Sequence, residues 1–471
     1  MAKEFIVAIE LGSSKIVGVA GKKNMDGSIS VLASAREDSL SFIRNGVVHN
    51  IDKTAQCIVD IVRKLSGHLK TEITQVFVGV GGQSIHSVKN SIVKELPADT
   101  VVTESMLNEL VDASRNTMYP DQEVLEAAVQ EYKLDNREEV EPAGIQCKRL
   151  EGRFLNILCR KLFYRNLNKC FEQADVKIAD MYLAPLALAD SVLTDSDKRS
   201  GCVLVDLGAD TTTVSIYYKN ILRHLAVIPL GCHNVTKDIA TSLQMDEVDA
   251  EAMKLRYAVA YTDNTDIDNM LVLPIDGNRS VESRKFVDIV EGRMREIIEN
   301  VKEQIPREYF KRLLGGIVIT GGGANMREIE KAFRVYTEID KVRVANFVTN
   351  TISAKDLNIT SKNAMMNTVL GLLAKGNMNC AGQPLSEIGD IFDESRPAAA
   401  ADKDVRRSNE PGGVLTEKQK LEEKKRREEE ERKAEEERLR QEEEDRQRRE
   451  KEKSLGKRIG RIFKKLLTED E

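Results

Sequence analysis

Two carboxylates in matching settings are the residues of this chain best placed to do chemistry. Glu10 sits in Ile-Glu-Leu-Gly-Ser-Ser-Lys (residues 9–15), and Asp206 in Val-Asp-Leu-Gly-Ala-Asp-Thr-Thr (residues 205–212). In both stretches a β-branched apolar run delivers an acid, a leucine and a glycine. Polar residues follow: Ser13, Ser14 and Lys15 in the first, Asp210, Thr211 and Thr212 in the second. Two loops closing on a phosphate chain need these parts. Gly12 and Gly208 let backbone N–H groups come close, the hydroxyls donate, and the acids face the hydration shell of a magnesium ion. A Gly-Ser hairpin tip alone is common. Its repetition 196 residues later is more telling, because a self-similar unit points to two related domains around one cleft. The alternative is two ordinary hairpins with similar tips. A third glycine-rich point, Gly321-Gly322-Gly323, follows the apolar run of residues 315–320 and opens a predicted helix, a turn against which a flat ring or a phosphate can lie. It is not Gly-x-Gly-x-x-Gly and lacks the Lys-Ser/Thr of a P-loop, so both of those readings fall away.

The elements that must position these residues alternate between the two periodicities. Residues 5–20 and 202–217 read as strand–turn–strand, with further strands over 29–36, 73–80, 176–181 and 221–229. Helices are predicted over 52–69, with Ala55, Ile58, Val59, Val62 and Leu65 on one face, and over 165–175, 184–193, 283–304 and 363–373. The tract after Gly231 is helical and contains Glu251 and Lys254. Together these make mixed α/β layers, a natural scaffold for a cleft at strand ends. Residues 83–162 differ in texture: polar hairpin strands over 85–93, a helix over 104–116, a charged segment over 136–141 and a strand over 154–159. This stretch carries no phosphate or metal chemistry and reads as an inserted subdomain serving contacts.

The chain has 471 residues, enough for two or three domains, and a net charge of −6, which gives no reason to expect nucleic acid. Its seven cysteines are scattered without a Cys-x-x-Cys pair and read as reduced thiols of a cytoplasmic protein. Its five histidines show no metal spacing. Met-Ala-Lys-Glu leads straight into a strand, unlike a signal peptide, and no apolar run approaches the roughly 18–20 residues of a membrane span.

The C-terminal part changes character. Residues 377–413 hold Pro384, Pro397 and Pro411-Gly412-Gly413 and read as a linker. Residues 415–453 are mostly Glu, Arg and Lys with no apolar heptad, which predicts a solvated helical spacer, not a coiled coil. The end is different again. Leu455, Ile459, Ile462, Phe463, Leu466 and Leu467 fall on one helical face, and Lys457, Arg458, Arg461, Lys464 and Lys465 occupy the rest. A cationic amphipathic helix behind a long spacer suits an anchor on anionic membrane lipid. The alternative is a helix that docks on protein.

Paired Glu/Asp-Leu-Gly hairpins, a triple-glycine turn and a small-residue helix near the end of the core together resemble the actin-like ATPase superfamily. The inserted subdomain and the basic amphipathic end narrow the resemblance to the FtsA family of bacterial cell-division proteins. It covers about residues 3–376 and 455–467. It implies an α/β fold of duplicated, ribonuclease H-like domains around a nucleotide cleft. Subdomain 1A would comprise 1–82, 163–200 and 351–376; the inserted subdomain 1C, 83–162; subdomain 2A, 201–230 and 311–350; and subdomain 2B, 231–310. The linker (377–413), the spacer (414–454) and the membrane-targeting helix (455–471) would follow. The resemblance further implies ATP and Mg2+ as cofactors, with Asp206, and more weakly Glu10, near the magnesium and the attacking water. Gly321–Gly323 would hold adenosine, bordered by Glu251 and Lys254 of an Ala-Glu-x-x-Lys helix. Implied partners are the C-terminal peptide of the tubulin-like protein FtsZ on subdomain 2B, with Arg293 as a contact, further copies of the chain in filaments, and later division proteins on the insertion. The implied place is the cytoplasmic face of the inner membrane at the division site.

Two departures stand out. Position 10 is Glu where the pattern usually has Asp, and Asp210 replaces a second glycine. Asp210 crowds the phosphate position with a negative charge, so it either helps to hold magnesium or sets the loop back and slows hydrolysis. ATP binding with at most slow turnover is expected. Two other readings remain open: a small-molecule kinase of the same superfamily, and a pilus-assembly-type actin-like adaptor, which lacks such a tail.

Overall fold

The computed structural model describes residues 4–384, apart from 266, 269, 277 and 278. Of the segment expected as linker from 377, the first residues belong to the folded body: Ala381–Pro384 is a strand paired antiparallel with Thr71–Ile73, and the Cys380 N–H donates to the Phe5 carbonyl at 2.8 Å. The rest of the linker, the charged spacer and the amphipathic helix lie outside the described residues. Among the described residues, no helix is long and apolar enough to cross a membrane.

The first hairpin pairs Ile6–Leu11 with Lys15–Lys23, Glu10 opposite Val17. Val7, Ala8, Ile9 and Ile16 are fully buried. Such a continuous apolar run marks a strand covered on both faces. Its sheet has six strands in the order Lys177–Leu183, Gln75–Val80, Ile6–Leu11, Lys15–Lys23, Ile29–Asp38 and Ile352–Ala354. The helix Ile51–Leu69 covers one face. It starts where the Asn50 side chain accepts from the Lys53 N–H and stops at Lys70 in the left-handed region. Its Ile61 lies so close to the strand that a Cβ on Gly18 would be 2.5 Å from Ile61 Cγ2. The helix Asn367–Lys375 covers the other face, and a Cβ on Gly79 would meet Leu372 Cδ1 at 2.3 Å. The end of the core thus returns to complete the first half.

The second hairpin pairs Cys202–Leu207 with Thr212–Tyr218, Asp206 opposite Thr213. On its other side Cys202–Leu207 runs parallel to Gly316–Thr320, with Asp206 beside Thr320. The helices Cys232–Leu243, Ser283–Glu303 and Ile329–Thr337 pack here, burying Phe286, Val290, Met294, Ile297 and Phe333. Each such side chain contributes about 1.5–3 kcal/mol by leaving water.

The structure departs from the sequence-based expectation in the insertion. Its strands are longer, His86–Val101 and Gln146–Arg160, because one face meets water and the apolar alternation is weak. Gln122–Leu134, in which Glu, Ala, Leu, Gln and Lys outnumber Val124, Val129 and Tyr132, is also a strand, since partners on both sides override its helical leaning. These strands do not stand apart. A pairing of His86 with Ala226 joins them to the second half in one nine-stranded sheet. Arg223 donates to Glu131 at 3.0 Å, and the Leu225 N–H to Ser87 Oγ at 2.8 Å, reinforcing the junction. A small separate core around Leu107, Leu110, Tyr132, Leu150 and Phe154 supports the outer end.

All seven cysteines are buried and free. Burial pushes the thiols of Cys57, Cys159 and Cys202 up to about 12, so they act as small apolar side chains.

Candidate functional site

The two hairpin tips share one geometry. The Gly12 N–H donates to the Lys15 carbonyl at 3.0 Å, and the Gly208 N–H to the Thr211 carbonyl at 2.9 Å. A Cβ on Gly12 would stand 2.8 Å from the Lys15 carbonyl oxygen, and one on Gly208 2.7 Å from that of Thr211. Each turn therefore closes only around a glycine. Each acid precedes its turn by two residues, at the end of a strand.

Burial drives the Glu10 carboxyl up to about 7; the Lys15 charge opposes the rise, the Asp206 charge adds to it, and a bond with Thr368 opposes it. Asp206 is pushed up to about 6 by burial. Burial likewise lowers the Lys15 pKa, against the pull of Glu10 and with help from Arg36. Two half-buried acids, both poorly solvated and the first further disfavoured by the charge of the second, form a place where a divalent cation relieves cost. Among the described residues no group of three or more metal-ligating side chains assembles. Two acids, with phosphate oxygens and water completing the shell, are what Mg2+ accepts and what a protein-only cage is not. The residues present fit that ion.

The remaining expected residues divide by what their side chains touch. Ser13 is buried, and its Oγ accepts from the Gly46 N–H at 2.8 Å. The Ser14 carbonyl accepts from the Ser39 N–H at 3.2 Å, leaving its partly exposed side chain at the tip. Lys15 Nζ reaches the Met365 carbonyl at 3.4 Å. Asp210 does not point along the phosphate loop: its Oδ2 accepts from the Asn45 N–H at 3.1 Å. Thr211 is partly exposed. Thr212 is fully buried, and its hydroxyl donates to the Leu230 carbonyl at 2.8 Å, so that group is used inside the fold. The carbonyls of Gly208 and Ala209 accept from the Cys232 and His233 N–H groups at 3.0 and 2.7 Å, which fixes the second loop against the start of a helix.

The three glycines differ. Gly321 has φ +85°, and a Cβ there would sit 2.3 Å from Asp206 Oδ1. A Cβ on Gly323 would meet Cys232 Sγ at 2.3 Å. At Gly322 the nearest atom would be Met365 Cγ at 4.0 Å, so this residue alone offers an open face. The turn opens a short 3-10 helix, Gly322–Asn325, and the α-helix starts only at Ile329. Beside it the buried Lys254 donates to the Cys232 carbonyl (3.1 Å), Thr236 Oγ1 (2.9 Å) and Glu251 Oε2 (2.7 Å). Burial works to raise the Glu251 pKa, but bonds from Lys254 and Thr236 outweigh it and hold the carboxyl below its usual range.

Arg293 is not a free cation. Its guanidinium binds Asp238 in a two-pronged bond at 2.6 and 3.0 Å and also pairs with Glu296. Asp238 lies on the neighbouring helix, out of reach of a reading based on helical spacing. The membrane-facing residues expected between 455 and 467 lie outside the described residues. Sequence reasoning passed over Asn45, Gly46, Met365 and Thr368. An Asn-Gly pair between short apolar runs is a hairpin signal; Met365 and Thr368 carry none.

Residues 203–371 match the family described as Cell division protein FtsA, and residues 82–158 match the SHS2 domain inserted in FTSA. The chain is 31% identical over 414 residues to Cell division protein FtsA of Pseudomonas aeruginosa, covering 86% of this chain and 97% of that protein. It is 31% identical over 397 residues to Cell division protein FtsA of Porphyromonas gingivalis, covering 82% and 81%. Among solved structures it is similar to a chain of the PilM-PilN type IV pilus biogenesis complex, with a TM-score of 0.54 at 14% identity over 78% of this chain and 97% of that one. That likeness is one of fold: actin-like α/β domains with an SHS2 insertion.

Proposed function

The chain belongs to the FtsA family of cell-division proteins, and from that premise we propose that it is an ATP-binding, self-assembling adaptor tying the FtsZ ring to the cytoplasmic face of the membrane. The observation that carries nucleotide binding is the repeated hairpin turn, with Glu10 and Asp206 half-buried near each other and both reluctant to ionise. Mg2+, when bound, supplies positive charge that stabilises both acids and the terminal phosphates. Glu10 and Asp206 would hold the cation. Gly12 and Gly208 keep side chains out of the path of the phosphates, with Ser13, Ser14, Lys15 and Thr211 around them. Gly322 offers its open face to the nucleoside beside Glu251 and Lys254.

Turnover is at most slow. Glu10 sets its carboxylate one methylene further out than an aspartate, and Asp210 adds a negative charge beside the second loop. Binding then acts by favouring one closure of the cleft, a population shift and not a chemical step. Filament formation would multiply a weak membrane contact by avidity. The insertion is proposed to face later division proteins. The FtsZ peptide is proposed to lie on residues 231–310, where Arg293 offers only what Asp238 and Glu296 leave of its charge.

The test is co-sedimentation with anionic vesicles in the presence of ATP, comparing the full chain with one ending at Ser454. Pelleting of the full chain alone supports the adaptor. If both chains stay in solution, residues 455–471 dock on protein, and the kinase and pilus-type readings return.

A further inference from the structure

The Asn45-Gly46 tip belongs to neither phosphate loop yet touches both. It joins Ile43–Arg44 to Val47–Val48, with Arg44 opposite Val47. Both tip residues have positive φ, +50° and +73°, the geometry of a two-residue turn matched to strand twist, for which Asn-Gly is preferred. The tip is held from behind. The Gln83 N–H donates to the Asn45 carbonyl at 2.9 Å, Asn45 Nδ2 donates to Gln83 Oε1 at 3.1 Å, and a Cβ on Gly46 would stand 2.6 Å from Gly82 Cα. Its two successive N–H groups face forward, that of Gly46 to Ser13 Oγ in the first loop and that of Asn45 to Asp210 Oδ2 in the second.

Successive backbone amides in such a turn make a concavity that receives an anion. Here the Gly46 amide is taken by the Ser13 hydroxyl and the Asn45 amide by a carboxylate of the protein, at the position where the resembling pattern has glycine. We propose that Asp210 is a resident anion on the Asn45 amide of this turn. It stands in for a terminal phosphate oxygen and makes this turn the element that tells a nucleoside triphosphate from a diphosphate. The proposal rests on the nucleotide reading above. A triphosphate must displace the carboxylate to reach the Asn45 N–H, whereas a diphosphate leaves the contact in place. Asp210 is then a positioning and specificity residue: it bridges the two loops without nucleotide and weakens the response to the triphosphate.

The experiment uses the full chain, with Asp210→Gly and Asp210→Asn as variants and Mg2+ present. It has two readouts: hydrogen exchange of the segment around residues 42–48 without nucleotide, and the affinities for ATP and ADP. Loss of a charge-assisted bond predicts that Asp210→Gly speeds exchange and tightens ATP binding by about tenfold each, with ADP changed by less than about twofold. Asp210→Asn keeps an acceptor, so it retains most of the protection while ATP still gains over ADP. Unchanged exchange in Asp210→Gly, or ATP and ADP affinities that move together, overturns the proposal. If neither nucleotide binds any of the three chains, the nucleotide reading falls and displacement falls with it. The exchange result then still shows whether Asp210 holds the turn.

Discussion

Replacing Glu10 with Gln removes a charge that the fold holds at a cost, and its effect on stability without nucleotide depends on pH. The Glu10 carboxyl moves from an ordinary 4.5 to about 7 on folding. Between those values the folded chain keeps a proton that the unfolded chain has released, so stability falls as pH rises through the window. A displacement of that size corresponds to about 3 kcal/mol above pH 7. Glu10 is only half-buried, and the variant also gives up the attraction to Lys15. The net gain from Glu10→Gln is therefore set at about 1–3 kcal/mol at pH 8 and near zero at pH 4.5. The assay is thermal unfolding at both pH values without nucleotide or magnesium. For a folded body of this length each kcal/mol moves Tm by about 1 °C, so the variant is expected to melt roughly 1–3 °C higher at pH 8 only. Asp206→Asn should behave alike, its window running from 3.8 to about 6. A variant that melts lower at pH 8, or gains equally at both pH values, refutes the burial argument.

Two further substitution experiments separate scaffold from contact. Gly322→Ala meets nothing closer than 4.0 Å, so Tm should hold while affinity for ATP drops about tenfold; Gly321→Ala places a Cβ against Asp206 at positive φ and should cost about 1–3 kcal/mol in denaturant unfolding. Lys254→Met strands the Cys232 carbonyl and leaves Glu251, whose side chain is 41% exposed, with Thr236 and water, a loss of about 1–3 kcal/mol, with Glu251→Gln costing clearly less; unchanged unfolding in Lys254→Met contradicts the network.

The hairpins were legible because their pattern is local: an apolar run, an acid, a glycine, and the same again far along the chain. The strand Gln122–Leu134 was not, since its residues favour helix and only its neighbours in the sheet make it a strand. The join between insertion and second half was not legible either, since it rests on contacts between residues far apart in the chain: His86 with Ala226, Ser87 with Leu225 and Glu131 with Arg223. At the site, the types of Gly12, Gly208, Glu10 and Asp206 could be read, but not their surroundings. That Gly322 alone faces open space, that Thr212 spends its hydroxyl on Leu230, and that Asp238 takes Arg293 are consequences of tertiary packing. Helical spacing placed Arg293 on a polar face and could not show what stands opposite. Asn45-Gly46 is the reverse case: the dipeptide signals a turn, but its meeting with Ser13 and Asp210 belongs to the fold.

In the proposed function the two hairpins make one nucleotide and magnesium site whose acids give up protons on loading. Calorimetric titration of the full chain with ATP at pH 6.5, with and without Mg2+ and in two buffers of different ionisation heat, tests it most directly. With Glu10 near 7 and Asp206 near 6, the account predicts one ATP per chain, a requirement for Mg2+, and release of about one proton. No binding, or binding that is indifferent to Mg2+ and releases no proton, contradicts it.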